Sequence, residues 1–119
     1  PGEKMNHKDL DAWKESIKLV KEIYRITESF PESEKFGLVS QMRRAAVSIP
    51  SNIAEGAARS SDKDTIRFLD IASASCAELE TQVIISAELN FITDNSELLN
   101  QIEIVKKMII GLMKYLRGK

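Results

Sequence analysis

The sequence predicts an all-α fold, an antiparallel up-down-up-down four-helix bundle with the second helix kinked at Pro50. Three observations carry this. Glycine and proline total only 8 of 119 residues, too few for the turn every 8–12 or so residues that an all-β sandwich or barrel requires. Long breaker-free stretches keep apolar residues at spacings of three and four. The connections between those stretches are short, and short links between long helices give antiparallel neighbours. The length fits one domain, expected to span residues 1–119.

Helix one is expected from about Lys8 to Ser29, with Asn6 and Asp9 at cap spacing and Phe30-Pro31 ending it. Leu10, Trp13, Ile17, Val20 and Tyr24 form one apolar stripe. Leu19, Ile23, Ile26 and Phe30 form a second. An ordinary surface helix has one such stripe, so two imply a core face plus a second buried face. Helix two is expected from Pro31 to about Arg59, with Val39, Met42, Ala46, Ile49, Ile53 and Ala57 inward. Pro50 removes one backbone bond, but the apolar phase runs unbroken across it, which predicts a kinked continuous helix. The alternative is a break at residues 48–52. Helix three opens at Ser61, three residues before Asp64, and runs to about Asn90. Leu69, Ala72, Cys76, Leu79 and Val83 mark its inward face, and residues 72–77 are unusually small. Helix four opens in the cap-rich run Thr93 to Glu97. Leu98, Ile102, Val105, Ile109, Leu112 and Leu116 keep heptad spacing, with Ile104, Met108 and Tyr115 as a second patch beside them.

Composition excludes several function classes. One cysteine permits no intramolecular disulfide and no cysteine-based zinc site, and one histidine permits no histidine-rich metal site. Apolar runs are too short to span a membrane. No signal-peptide pattern opens the chain, so a cytoplasmic location is expected. It begins at Pro1 without methionine, which predicts a processed or replaced start. No catalytic constellation is visible. His7 precedes the first helix without an orienting partner, and Cys76 lies on an inward apolar face. Glu78 and Glu80 diverge on their helix, and Gly37 and Gly56 stand alone and make no phosphate-cradling loop. No enzyme activity, cofactor or metal is expected.

Basic residues remain. Lys and Arg number 17 against 18 Asp and Glu, a net charge of −1, which is not the balance of a dedicated nucleic-acid binder. Distribution is more informative than the sum. Lys14, Lys18, Lys21 and Arg25 form a stripe along helix one, which also reads as an ordinary solvated face. Arg59, Lys63 and Arg67 surround the turn between helices two and three. Arg43 and Arg44 extend this end group or, alternatively, pair with Glu78 or Glu80 across the bundle. Phosphate contacts need only such lysine and arginine clusters. Weak binding of RNA or DNA is therefore the leading expectation. A protein–protein scaffold is the rival, favoured by the nearly neutral charge.

Residues 36–59, FGLVSQMRRAAVSIPSNIAEGAAR, and 68–82, FLDIASASCAELETQ, resemble signature segments of a bacterial four-helix-bundle family. That family includes the 23S rRNA intervening-sequence proteins, and relatives act as accessory variability proteins of diversity-generating retroelements. The resemblance covers about residues 10–92 and is most specific around Gln41, Arg43, Arg44, Pro50, Asn52, Glu55 and Gly56. It implies a four-helix bundle assembled as a ring-like homopentamer, with no enzyme activity. It also implies nucleic-acid binding, and in one branch partnership with a reverse transcriptase.

Overall fold

The computed structural model describes residues 5–119 and contains four α-helices: α1 Asp11–Thr27, α2 Leu38–Ala57, α3 Asp62–Glu88 and α4 Ser96–Arg117. Each inward face follows the apolar period of its sequence. On α2, Val39, Met42, Ala46, Ile49, Ile53 and Ala57 are all buried. On α3, Leu69, Ala72, Cys76, Leu79 and Val83 are buried. All of these side chains but Ala57 join those of α1 and α4 in one hydrophobic core. α2 and α3 make the most extensive contact, α1–α2 and α3–α4 follow, and α4 closes more loosely onto α1. The result is an up-down-up-down bundle 51 Å long and 23 by 19 Å across.

α2 passes through Pro50 without interruption, and Ile49 and Ile53 on either side are fully buried. The alternative of a break at residues 48–52 is thereby excluded. Next to the proline, Asn52 Nδ2 donates to the Ser48 carbonyl at 2.8 Å and lies 2.9 Å from Ser48 Oγ. Ser48 Oγ in turn lies 2.9 Å from Ser75 Oγ of α3. Polar side chains beside Pro50 thus bond one another across the helix pair.

Several boundaries differ from the sequence-based expectation. Helix two does not begin at Pro31. Residues Glu32–Glu34 form a separate 3-10 turn, and Gly37, at φ −108° and ψ −108°, leaves the helical path before Leu38. Glu34 Oε1 accepts the Leu38 N–H at 3.3 Å, so a side chain opens α2. Asn6 caps a 3-10 turn, His7–Asp9, rather than α1, which starts at Asp11. On α4, Met113 is buried where the heptad pattern predicts Leu112. An ideal helix drifts about 20° per heptad, and without supercoiling over many heptads the inward position slips by one. Ser61 Oγ accepts the Asp64 N–H at 3.2 Å, as the cap spacing predicts. Asp94, not Asn95, supplies the side chain that opens α4. Its Oδ1 accepts Ser96 N–H at 3.0 Å and Ser96 O–H at 2.8 Å, and these bonds hold its carboxyl below the usual range.

α3 ends with Asn90 at φ 63°, the left-handed conformation that asparagine tolerates. Phe91 N–H reaches back to the Ser86 carbonyl at 2.8 Å and Asn90 N–H to Ala87 at 3.0 Å, a Schellman motif. The reversal sets Phe91 against Phe30, ring centroids 5.4 Å apart, joining the α1–α2 and α3–α4 links at one end of the bundle.

On α1 the core stripe is Ala12, Ser16, Leu19, Ile23 and Thr27. The other stripe is not buried within the chain. Ile17 and Tyr24 are each 42% exposed, with Trp13 and Val20 half-buried between them.

The tightest point lies at the α2–α3 turn. A Cβ on Gly56 would stand 3.0 Å from Phe68 Cβ and 3.1 Å from the Thr65 carbonyl oxygen. Thr65 Oγ1 donates to the Gly56 carbonyl at 2.8 Å, so the two helices are bonded where they touch. Gly56→Ala should therefore lower the melting temperature, because overpacking costs about 1–3 kcal/mol against a helix-propensity gain of roughly 1 kcal/mol. Gly111→Ala, where a Cβ meets nothing within 4 Å, should raise it instead. Differential scanning calorimetry on both variants checks the pair.

Cys76 is fully buried, and burial pushes its thiol up to about 12. The folded state keeps a proton that the unfolded chain releases near pH 8.5 or so. This contribution is full below that pH and is lost as pH rises toward about 12. The melting temperature of the parent should fall more steeply from pH 9 to 11 than that of Cys76→Ala. A thiol reagent should label the parent in denaturant and not in buffer.

Candidate nucleic-acid interface

The α2–α3 turn carries Arg59, Lys63 and Arg67 at one end of the bundle, as the chain order dictates. Phe68 organises them. The guanidiniums of Arg59 and Arg67 each lie 4.6 Å from its ring centroid. Phe68 is itself fixed by the close approach at Gly56. Arg59 also pairs with Glu55 at 2.6 Å, and Arg67 approaches Asp64 at 3.9 Å. Lys63 is exposed and has no ion-pair partner among the described residues. Lys119 reaches Asp62 at 3.3 Å, which places the C-terminal residue at the same end.

Arg43 and Arg44 do not extend this group. They lie near the start of α2, sixteen and fifteen positions before Arg59, which is about 22–24 Å at 1.5 Å rise per residue. Nor do they pair with Glu78 or Glu80. Arg43 turns toward α1, where its Nε donates to Thr27 Oγ1 at 3.0 Å and its Nη2 to the Tyr24 carbonyl at 3.3 Å. Its guanidinium stands 4.4 Å from the centre of the Tyr24 ring. Glu78 instead accepts from Gln82 Nε2 at 3.3 Å on its own helix. Arg44 is exposed beside an open groove of 580 Å³ that runs between α1 and the start of α2.

Lys14, Lys18, Lys21 and Arg25 all lie exposed along α1, the lateral arrangement that their spacing predicts. Two are neutralised locally. Lys18 pairs with Glu15 at 3.0 Å. Arg25 forms a two-pronged pair with Glu22, and that hydrogen bonding lowers the Glu22 carboxyl and raises the Arg25 guanidinium.

Sequence reasoning missed the aromatic members. Phe68 lies between arginines in the folded chain, and Tyr24 carries Arg43. Phe36 belongs to no helical stripe and is 90% exposed. An apolar residue outside every periodic pattern is the signal that could have singled it out. His7 packs edge-on against Trp13 at 5.2 Å. Among the described residues no group of three His, Cys, Asp or Glu could hold a metal ion, and no helix is long and apolar enough to cross a membrane.

No curated protein matches the chain. A crystal structure of a protein of unknown function from the S23 ribosomal protein family of Bacteroides thetaiotaomicron matches the fold with a TM-score of 0.80. It is 24% identical, and the match covers 87% of this chain and 95% of that one, a likeness that speaks to the fold alone. Residues 8–111 match the family model described as 23S rRNA-intervening sequence protein. That match takes in all of α1, α2 and α3 and most of α4, and on it the chain belongs to the 23S rRNA-intervening sequence protein family.

Proposed function

We propose that this protein is a non-enzymatic, self-associating helical bundle that binds RNA or DNA through phosphate contacts. The observation that carries the reading is the convergence of Arg59 and Arg67 on Phe68, with Lys63 beside them. Arg59 gives one of its five N–H donors to Glu55 and Arg67 makes no hydrogen bond to Asp64, so both keep donors for phosphate, which guanidinium grips in a bidentate fork. The family is described by reference to 23S rRNA, which makes structured RNA the first polyanion to test. Repetition of a modest patch over several copies would raise avidity on a long strand.

Replacing both Arg59 and Lys63 with alanine should weaken RNA binding similarly across sequences and flatten its salt dependence. Filter binding over a range of salt concentrations checks this. Melting should change little, because exposed charges contribute only about 0–1 kcal/mol. Parent-like binding by the double variant would remove the end patch from the reading.

Self-association is supported by apolar surface left over once the core is full. Ile17 is exposed on α1. Ile71, Ile84, Ile85, Leu89, Ile104 and Tyr115 are exposed on α3, its C-cap and α4. Extended exposed apolar surface of this kind marks interfaces, and closed symmetry is its usual resolution. Light scattering should give a mass well above the 13.4 kDa of one chain, five times it for the pentamer that the family resemblance implies. Ile104→Glu should lower that mass. A parent mass of one chain at micromolar concentration would sink the assembly.

A scaffold for another protein is the second reading, favoured by the net charge of −1. A reverse transcriptase is the partner that the resemblance implies. This reading predicts no retention on heparin even at low salt.

A further inference from the structure

The groove between Tyr24 of α1 and the start of α2 combines cations and aromatic rings. Lys35, Arg43 and Arg44 line it together with Tyr24, Phe36 and Val47, and no carboxylate is among its lining residues. All five ion pairs of the described residues lie elsewhere. In a chain of net charge −1, three cations gathered without a counter-charge are a local excess. Glu28 and Glu32 line a smaller adjoining cleft, so the excess is strongest on the Arg44 side.

The aromatic rings are held in two different ways. Tyr24 is fixed from within, because Arg43 stacks on its ring while bonding Thr27 Oγ1 and the Tyr24 carbonyl. Phe36 is presented from the link between the 3-10 turn and α2, 90% exposed, with Lys35 Nζ 5.6 Å from its ring centroid. A phenylalanine so exposed adds nothing to the core. Its hydrophobic free energy is realised only when something covers it, and a nucleobase does so by offset stacking on its face.

The geometry points to this groove as a site for unpaired nucleotides of a single-stranded nucleic acid, with a base stacking on Phe36 and phosphate on Arg44 and Lys35. The inference rests on the nucleic-acid reading above and adds the strand type to it. Single-strand binders join a cationic track to aromatic platforms, and stacking tolerates any base. A duplex hides its base faces and would use the cations alone. An acidic peptide would satisfy the cations and leave Phe36 uncovered.

Fluorescence anisotropy at low salt with a labelled ten-nucleotide oligouridine, an RNA duplex of ten base pairs and an oligoglutamate of ten residues tests the site. The parent should bind oligouridine, and excess oligoglutamate should displace it poorly. Phe36→Ala should weaken oligouridine binding about tenfold while leaving duplex binding unchanged. Arg44→Ala should weaken both. Circular dichroism melting should match the parent for both variants, because both residues are exposed. Parent-like oligouridine binding by Phe36→Ala overturns the groove and leaves the wider reading standing. Failure of the parent to bind either RNA overturns both. Equal displacement by oligoglutamate overturns the groove in favour of an acidic protein partner.

Discussion

The close approach of α2 to α3 is the constraint on which the rest of the bundle depends. Gly56 leaves room for Phe68 Cβ and the Thr65 carbonyl within about the width of one methyl group. Thr65 Oγ1 then bonds the Gly56 carbonyl and, at 3.1 Å, that of Ser61. Further along the same seam Ala45, Ala46, Ala72, Ser75 and Cys76 are all buried and small. Backbones this close let the seam bury its aliphatic side chains fully. Ile49, Ile53, Leu69, Leu79 and Val83 are all at or near zero exposure. With the α2–α3 hairpin set, α1 and α4 pack on its two flanks.

Polar groups along the core are satisfied mostly within the helix that carries them. Ser16, Thr27 and Ser86 each return a hydrogen bond to a carbonyl three or four residues earlier. Such back-bonding lets a hydroxyl be buried without a partner on another helix. The exception is Gln82, whose Oε1 is buried without a hydrogen-bond partner while its Nε2 reaches Glu78. Ser48 and Ser75 bond across the seam beside Pro50, where the backbone ladder is already short of one donor. Pro50 and the inter-helix polar contact thus occupy the same stretch of α2.

The cations divide by what lies within one helical turn of them. Glu15, Glu22 and Glu55 pair with Lys18, Arg25 and Arg59 at spacings of three or four residues, and Asp64 stands 3.9 Å from Arg67, beyond hydrogen-bonding distance. Arg43 and Arg44 have no such acid three or four positions away on α2. Arg43 is spent on fixing Tyr24, and Arg44 is left facing solvent at the groove. Aromatic rings accompany the arginines at both places, Phe68 at the end and Tyr24 beside the groove.

The sequence by itself determined the helix count and the inward faces of α2 and α3, and it narrowed α2 at Pro50 to a continuous helix or a break that the structure then excluded. Those properties follow from a period that one strand of text displays, because side chains three and four apart share a face wherever the helix goes. It also showed that α1 carries one apolar stripe too many, with Ile17 and Tyr24 in the surplus. Which stripe is core was not legible, since both have the same period and differ only in what another helix covers. Only the tertiary structure decided that Asp94 opens α4, that Arg43 turns to Tyr24 rather than to Glu78, and that Phe36 stands uncovered beside Arg44. Each depends on the distance between residues far apart in the chain or on the path of a link, and periodicity encodes neither.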